Sequence, residues 1–172
     1  MNRWIKNERG LTLIELLAAT ILTAIIAIFA FSILMKGIQH YNTISTDTAF
    51  RDEADLLMSS LLKDLYTTKE SQITKTHFPE RNTDNYFFEI DKTGTNKLKT
   101  GFINKELYIQ NKVIPITNSA IQITKDSKIV ANQDGDGVYE ITLELHMPLK
   151  NQTVKFINEI RTISDINEDK ED

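Results

Sequence analysis

Gly10-Leu11-Thr12-Leu13-Ile14-Glu15-Leu16-Leu17 opens a run that continues without a charge to Met35, Leu16 to Met35 reading LLAATILTAIIAIFAFSILM. About 20 uncharged, mainly apolar residues is the length at which an α-helix crosses the hydrocarbon core of a bilayer. The run therefore reads as a transmembrane helix, with Leu16, Leu17, Ile21, Ile25, Ile28 and Leu34 among its apolar residues. Before it lie ten residues, Met1 to Gly10, in which Arg3, Lys6 and Arg9 face the single acid Glu8. A basic head in front of an apolar run stays on the cytoplasmic side.

Glu15 does not fit the two ordinary readings of such a beginning. A carboxylate inside an apolar helix costs a few kcal/mol, less near its edge, and usually has a partner. The apolar core of a secretory signal gains nothing from it, and no small-residue cleavage site with a polar mature start follows, since Ala30 is succeeded by Phe31-Ser32-Ile33-Leu34-Met35. In a plain single-span anchor the residue is incidental, and the spacing from Gly10 to Glu15 has no explanation.

The segment Gly10 to Leu17, GLTLIELL, resembles the N-terminal signature of type IV prepilins and of the pseudopilins of type II secretion and DNA-uptake machines. The resemblance implies that a membrane prepilin peptidase cuts after Gly10 and methylates the new amino group on Leu11. Glu15 then occupies the place of the family's glutamate. Leu11 departs from the phenylalanine that often starts the mature chain. The same resemblance implies as partners the peptidase, other pilin or pseudopilin subunits, a polytopic membrane platform protein and, indirectly, a motor ATPase.

The need for an acid at this position also follows from charge. Cleavage leaves an α-amino group on Leu11 at the membrane edge, and one turn further on Glu15 can neutralise the amine of its own chain or of a neighbour, at low dielectric where such a pairing counts for more. Removing the carboxylate should spare insertion and damage assembly.

Beyond Gly37 the chain turns polar but keeps a helical period. Ile44, Phe50, Ala54, Leu57, Leu61 and Leu65 make one apolar stripe, with Arg51, Asp52, Asp55, Lys63 and Asp64 expected on the wet face. A helix from about Leu11 to near Tyr66 would be roughly 80 Å long, far more than a bilayer needs, so its second half must carry a head domain. Gly37 reads either as a hinge or as a tolerated glycine costing about 1 kcal/mol against alanine.

From Tyr86 the period changes to short alternating runs: Tyr86 to Ile90, Lys97 to Ile103, Glu106 to Gln110, Lys112 to Ile116, Ala120 to Thr124, Gly137 to Met147 and Thr153 to Ile163. Turn signals at Asp91-Lys92-Thr93-Gly94, Asn104-Lys105, Asn111-Lys112, Asp134-Gly135-Asp136-Gly137 and Pro148 separate them. The stretches Val138 to Leu145 and Val154 to Arg161 read as an antiparallel hairpin whose apolar face, Val138, Ile141, Leu143 and Leu145, lies on Leu57, Leu61 and Leu65. Lys69 to Asn85 reads as a surface loop. The fold class expected is α+β, a long N-terminal helix packed on an antiparallel sheet. Its parts are a leader (1–10), a transmembrane and assembly helix (11–36), an amphipathic extension (37–68), a β-rich head (69–164) and an acidic, disordered tail (165–172).

The 172 residues suit one modest head plus this appendage. A net charge of -4 disfavours direct nucleic-acid binding, although Lys92, Lys97, Lys99 and Lys105 are locally basic and are read as a solvated face. With 0 cysteines there are no disulfides, thiolate metal sites or thiol nucleophiles. His40, His77 and His146 fall in no ligand spacing, and neither a serine nucleophile elbow nor a glycine-rich phosphate loop is present. The chain reads as no enzyme, with no cofactor. Asp134 and Asp136, with Asn132, offer oxygens to calcium, and major pseudopilins have calcium sites in this part of the head. The loop lacks the remaining ligands of an EF-hand, and a tight turn explains the same letters better.

The function expected is a structural one, a minor subunit of a type IV pilus-like filament at the cell surface, serving DNA uptake (competence) or protein secretion. The competing reading is a single-pass, membrane-anchored cell-surface binding module that is neither cleaved nor assembled. Abundant lysine, isoleucine and asparagine lean toward a low-GC Gram-positive source.

Overall fold

The computed structural model describes residues 12–79, 85–94, 96–132 and 137–165. The chain divides into two compact units, Met1–Thr46 and Asp47–Asp172.

Helix α1, Leu13–Tyr66, runs for 54 residues. Gly37 does not interrupt it, and a Cβ placed there would meet nothing within 4 Å. Over its first part the helix is apolar and exposed on all sides, the pattern of a membrane span rather than of an amphipathic surface helix. Four turns later the stripe appears as expected. Phe50, Ala54, Leu57, Leu61 and Leu65 are buried, whereas Ile44, expected to lead the stripe, is exposed. Asp64, expected on the wet face, is buried instead.

In Asp47–Asp172 the helix ends against a 3-10 turn, Glu70–Gln72, and a five-stranded antiparallel meander. Its strands are β1 (Ile73–His77), β2 (Asn85–Ile90), β3 (Leu98–Ile103), β4 (Glu106–Ile109) and β5 (Lys112–Ile114), in that order. The segment expected to loop from Lys69 to Asn85 thus contains a strand, one whose residues from Thr74 on are all exposed, so no apolar alternation marked it. Two tight turns connect the later strands, Asn104-Lys105 and Gln110-Asn111, all four residues with positive φ as the two-residue hairpin turn requires. The second falls one residue earlier than the sequence suggested.

The second sheet is built on β8 (Val138–Met147). Along one edge of it lie β6 (Gln122–Ile123) and β7 (Lys128–Ala131), and along the other β9 (Gln152–Arg161). The β8–β9 hairpin pairs ten residues in unbroken register, Val138 with Arg161 through Met147 with Gln152. Its core face is Tyr139, Ile141, Leu143, Leu145 and Met147. Alternation puts Val138 on the opposite face, and Tyr139 takes the place the sequence reading gave it.

One core joins these elements. Phe50, Leu57, Leu61 and Leu65 from the helix, Phe88 and Ile90 from β2, Phe102 from β3 and Ile141, Leu143 and Leu145 from β8 form a single buried cluster. Phe88 and Tyr139 meet edge to face at 4.8 Å between ring centroids, tying the first sheet to the second.

Candidate functional site

The start of α1 is closed by a reciprocal pair. The Thr12 backbone N–H donates to Glu15 Oε2 at 2.8 Å and the Thr12 hydroxyl donates to the same oxygen at 2.9 Å. The Glu15 N–H faces Thr12 Oγ1 at 3.3 Å. This is a capping box, which satisfies backbone donors that have no partner inside a helix's first turn. Thr-x-x-Glu before an apolar run is its sequence signature. The sequence reading assigned Glu15 to a terminal amine alone; the geometry gives it a second task in the single chain. A carboxylate has about four acceptor positions. Oε2 is engaged with Thr12, and among the described residues Oε1 is not, so it can accept a cation from its own chain or from another.

Leu16, Leu17, Ile21, Ile25, Ile28 and Leu34 all stand exposed, Leu16 at 57% and Ile28 at 67%. Hydroxyls in this run are satisfied within the helix: Thr20 donates to Leu17 O at 2.8 Å, Thr23 to Ala19 O at 2.8 Å and Ser32 to Ile28 O at 2.9 Å. Each polar group is thereby suited to lipid, where an unpaired one would cost several kcal/mol. Gly10 and Leu11, the expected cleavage and methylation positions, lie outside the described residues.

Asp134 and Asp136, the calcium candidates, also lie outside the described residues. The histidines do not converge: His40 is exposed on α1, His77 stacks on Phe87 at 4.9 Å and His146 Nδ1 lies 2.9 Å from Thr153 Oγ1. Lys92, expected to be solvated, reaches Asp64 Oδ1 at 3.0 Å, and Lys99 sits 4.8 Å from the Phe87 ring centroid.

Two buried acids on α1 were not recognised from the sequence. Glu53 accepts the backbone N–H groups of Thr117 at 2.8 Å and Asn118 at 3.0 Å, pinning the segment before β6 to the helix. Asp64 accepts from Lys92 and Gln110 on Oδ1, at 3.0 and 2.6 Å, and from the Thr100 hydroxyl on Oδ2 at 2.8 Å. Both oxygens of each acid are spoken for, so their chemistry is that of clasps between helix and sheet. The signal was available: Glu53 is three residues after Phe50, and Asp64 three after Leu61, in phase with the apolar stripe.

An exposed apolar helix segment with a capped, acid-bearing start, in a chain of α+β, pilin-like fold, fits a membrane-anchored subunit. Residues 5–31 match the family model described as the prokaryotic N-terminal methylation motif, so the chain carries the type IV prepilin-family leader. The motif implies processing by a prepilin peptidase and assembly with other pilin subunits. No curated protein and no solved structure matches the chain at a significant level.

Proposed function

We propose that this chain is a minor structural subunit of a type IV pilus-like filament, without enzymatic activity. A prepilin peptidase cuts its leader after Gly10, Leu11 is methylated, and the subunit is drawn out of the membrane with its head on the outer side. A membrane platform protein is the expected assembly partner. The filament serves DNA uptake or protein secretion.

The observation that carries this reading is a coincidence in one segment. The methylation motif at residues 5–31 overlaps the first part of α1, whose apolar side chains are exposed all round. A lipid bilayer can cover such a surface before assembly, and the equivalent helices of other subunits can cover it afterwards. Glu15, whose Oε1 is not engaged by the capping box, supplies the anion that a neighbouring amino terminus requires.

The test is to express the tagged chain in a cell that assembles a filament and to shear the cells. The chain is expected in the sheared fraction together with the other subunits, and Glu15→Ala is expected to remain in the membrane. Retention of the unaltered chain in the membrane while the other subunits shear off would favour the membrane-anchored binding module instead.

A further inference from the structure

Among the described residues five strands stand at sheet edges, and all but β9 are blunted in the ways proteins use to prevent edge pairing. β6 has two residues. β1 is short, carries Lys75 and has a register shift between Ile73 and Lys75. β5 is three residues long and is followed by Pro115. β7 has only four residues. β9 differs. It runs for ten residues without proline and without a register shift, and among the described residues it pairs with β8 alone. Ile157, Asn158 and Glu159 are exposed in succession, so neither face is covered there.

The outward face of β9 reads Thr153, Lys155, Ile157, Glu159, Arg161, with Ile157 at its centre and 57% exposed. Paired antiparallel with a second copy of itself about Ile157, this strand sets Lys155 opposite Glu159 of that copy and Glu159 opposite Lys155, with the two Ile157 side chains against each other. Both charge pairs are of opposite sign, and such directly opposed pairs stabilise antiparallel strands. Within the chain the arrangement is less favourable. Glu159 lies directly opposite Glu140 on β8, like charges in register, and its Oε2 accepts from a neutral donor, Asn132 Nδ2, at 3.3 Å, while Lys155 lies opposite Glu144. A second copy brings Lys155 beside the Glu140–Glu159 pair, where a cation is most favourable. A shift of register by two residues loses both charge pairs and the central apolar contact.

We infer that β9 is a self-complementary edge through which two copies of this chain join head to head, their second sheets becoming one continuous sheet centred on Ile157. The contact is isologous, the same patch serving both copies, and closes as a pair rather than propagating. It rests on the head alone and stands whether or not the chain enters a filament.

The absence of native cysteine makes the geometry directly testable in the full-length chain. Residues directly opposite in an antiparallel pair have Cα atoms about 4.5–5.5 Å apart, within the roughly 4.4–6.8 Å that a disulfide spans. Ile157→Cys, oxidised with copper phenanthroline in detergent, is expected to give a covalent dimer, and Leu149→Cys, equally placed on the surface, is not. Lys155→Glu in the Ile157→Cys chain is expected to lower the dimer yield about tenfold, and adding Glu159→Lys to restore it. No dimer from Ile157→Cys, equal yields from Leu149→Cys, or a yield indifferent to both charge changes would each overturn the inference. Circular dichroism of every variant separates a lost contact from a lost fold.

Discussion

Thr12 and Glu15 hold one another at the start of the helix, the acid accepting the Thr12 N–H at 2.8 Å and the Glu15 N–H facing the Thr12 hydroxyl at 3.3 Å. One glutamate therefore completes the helix end of a single chain and keeps an oxygen for a cation. The two tasks separate by mutation. Thr12→Val removes the hydroxyl and should cost about 1 kcal/mol of helix-end stability, a factor of about five, while leaving the carboxylate. Glu15→Ala removes both functions. Incorporation into a sheared filament fraction should fall by a small factor in the first and be abolished in the second; equal losses would mean that capping is the whole of Glu15's role.

The Asp64 clasp should be felt in stability. Lys92→Met leaves a buried carboxylate without its cation, though Gln110 and Thr100 still donate to it. Breaking a fully buried pair costs about 3–5 kcal/mol, and because the Lys92 side chain keeps 25% exposure the expected loss is smaller, about 2 kcal/mol. Urea denaturation checks this, and a change below about 0.5 kcal/mol, the range of ordinary surface substitutions, would show the ion pair to be incidental.

Among the described residues Gly101 is the glycine with the strictest requirement. Its φ is +141°, and a Cβ there would run into the Tyr86 carbonyl oxygen and come within 2.6 Å of Phe87 Cα. Gly101 stands directly opposite Phe87 in β2, so the obstacle is backbone and cannot swing away. Gly101→Ala should destabilise the head by about 3 kcal/mol, strain and overpacking together. Gly37→Ala, on an open helix face, should stabilise slightly. Comparing their denaturation midpoints checks the pair.

Asp165 ties the chain after β9 to the 3-10 turn before β1. Ser71 donates its hydroxyl to Oδ2 at 2.6 Å and its N–H to Oδ1 at 3.0 Å, with Lys69 at 3.8 Å. These hydrogen bonds, and then the lysine, hold the carboxyl below its ordinary value of 3.8. A depressed carboxylate lends its stabilisation above the unfolded value and loses it as pH falls through the folded one. The tie should thus be intact above about pH 4 and open only in more acid solution. The Ser71 amide resonance should titrate with a midpoint below 3.8, moving up toward that value in Lys69→Met; a midpoint above 3.8 in the unaltered chain would contradict the tie.

Much of this was legible because the relevant signals were local. The uncharged run, the stripe from Phe50 to Leu65 and the alternation in β8 and β9 each announced an element and the face it buries. Long-range pairings were not. Glu53 and Asp64 look like surface acids until Thr117, Asn118, Thr100 and Gln110, which come 36 to 65 residues later, supply their partners. β1 was missed because Thr74, Lys75, Thr76 and His77 are all exposed, so the strand exists through its pairing with β2 and not through burial. Val138 was misassigned by one step of the pleat, an error that moves a side chain to the other face. At the candidate site the Gly10 to Glu15 spacing points to a family, and Thr12-x-x-Glu15, equally local, is the signature of the capping box.

The proposal that this chain is a prepilin-type subunit matured at Gly10 is open to direct test. Intact-protein and N-terminal peptide mass spectrometry on the chain expressed with and without a prepilin peptidase tests it most directly. A mature chain beginning at N-methylated Leu11, present only with the peptidase, is the result expected. An intact Met1 terminus in both cells, or a terminus beyond Ala30, would contradict it.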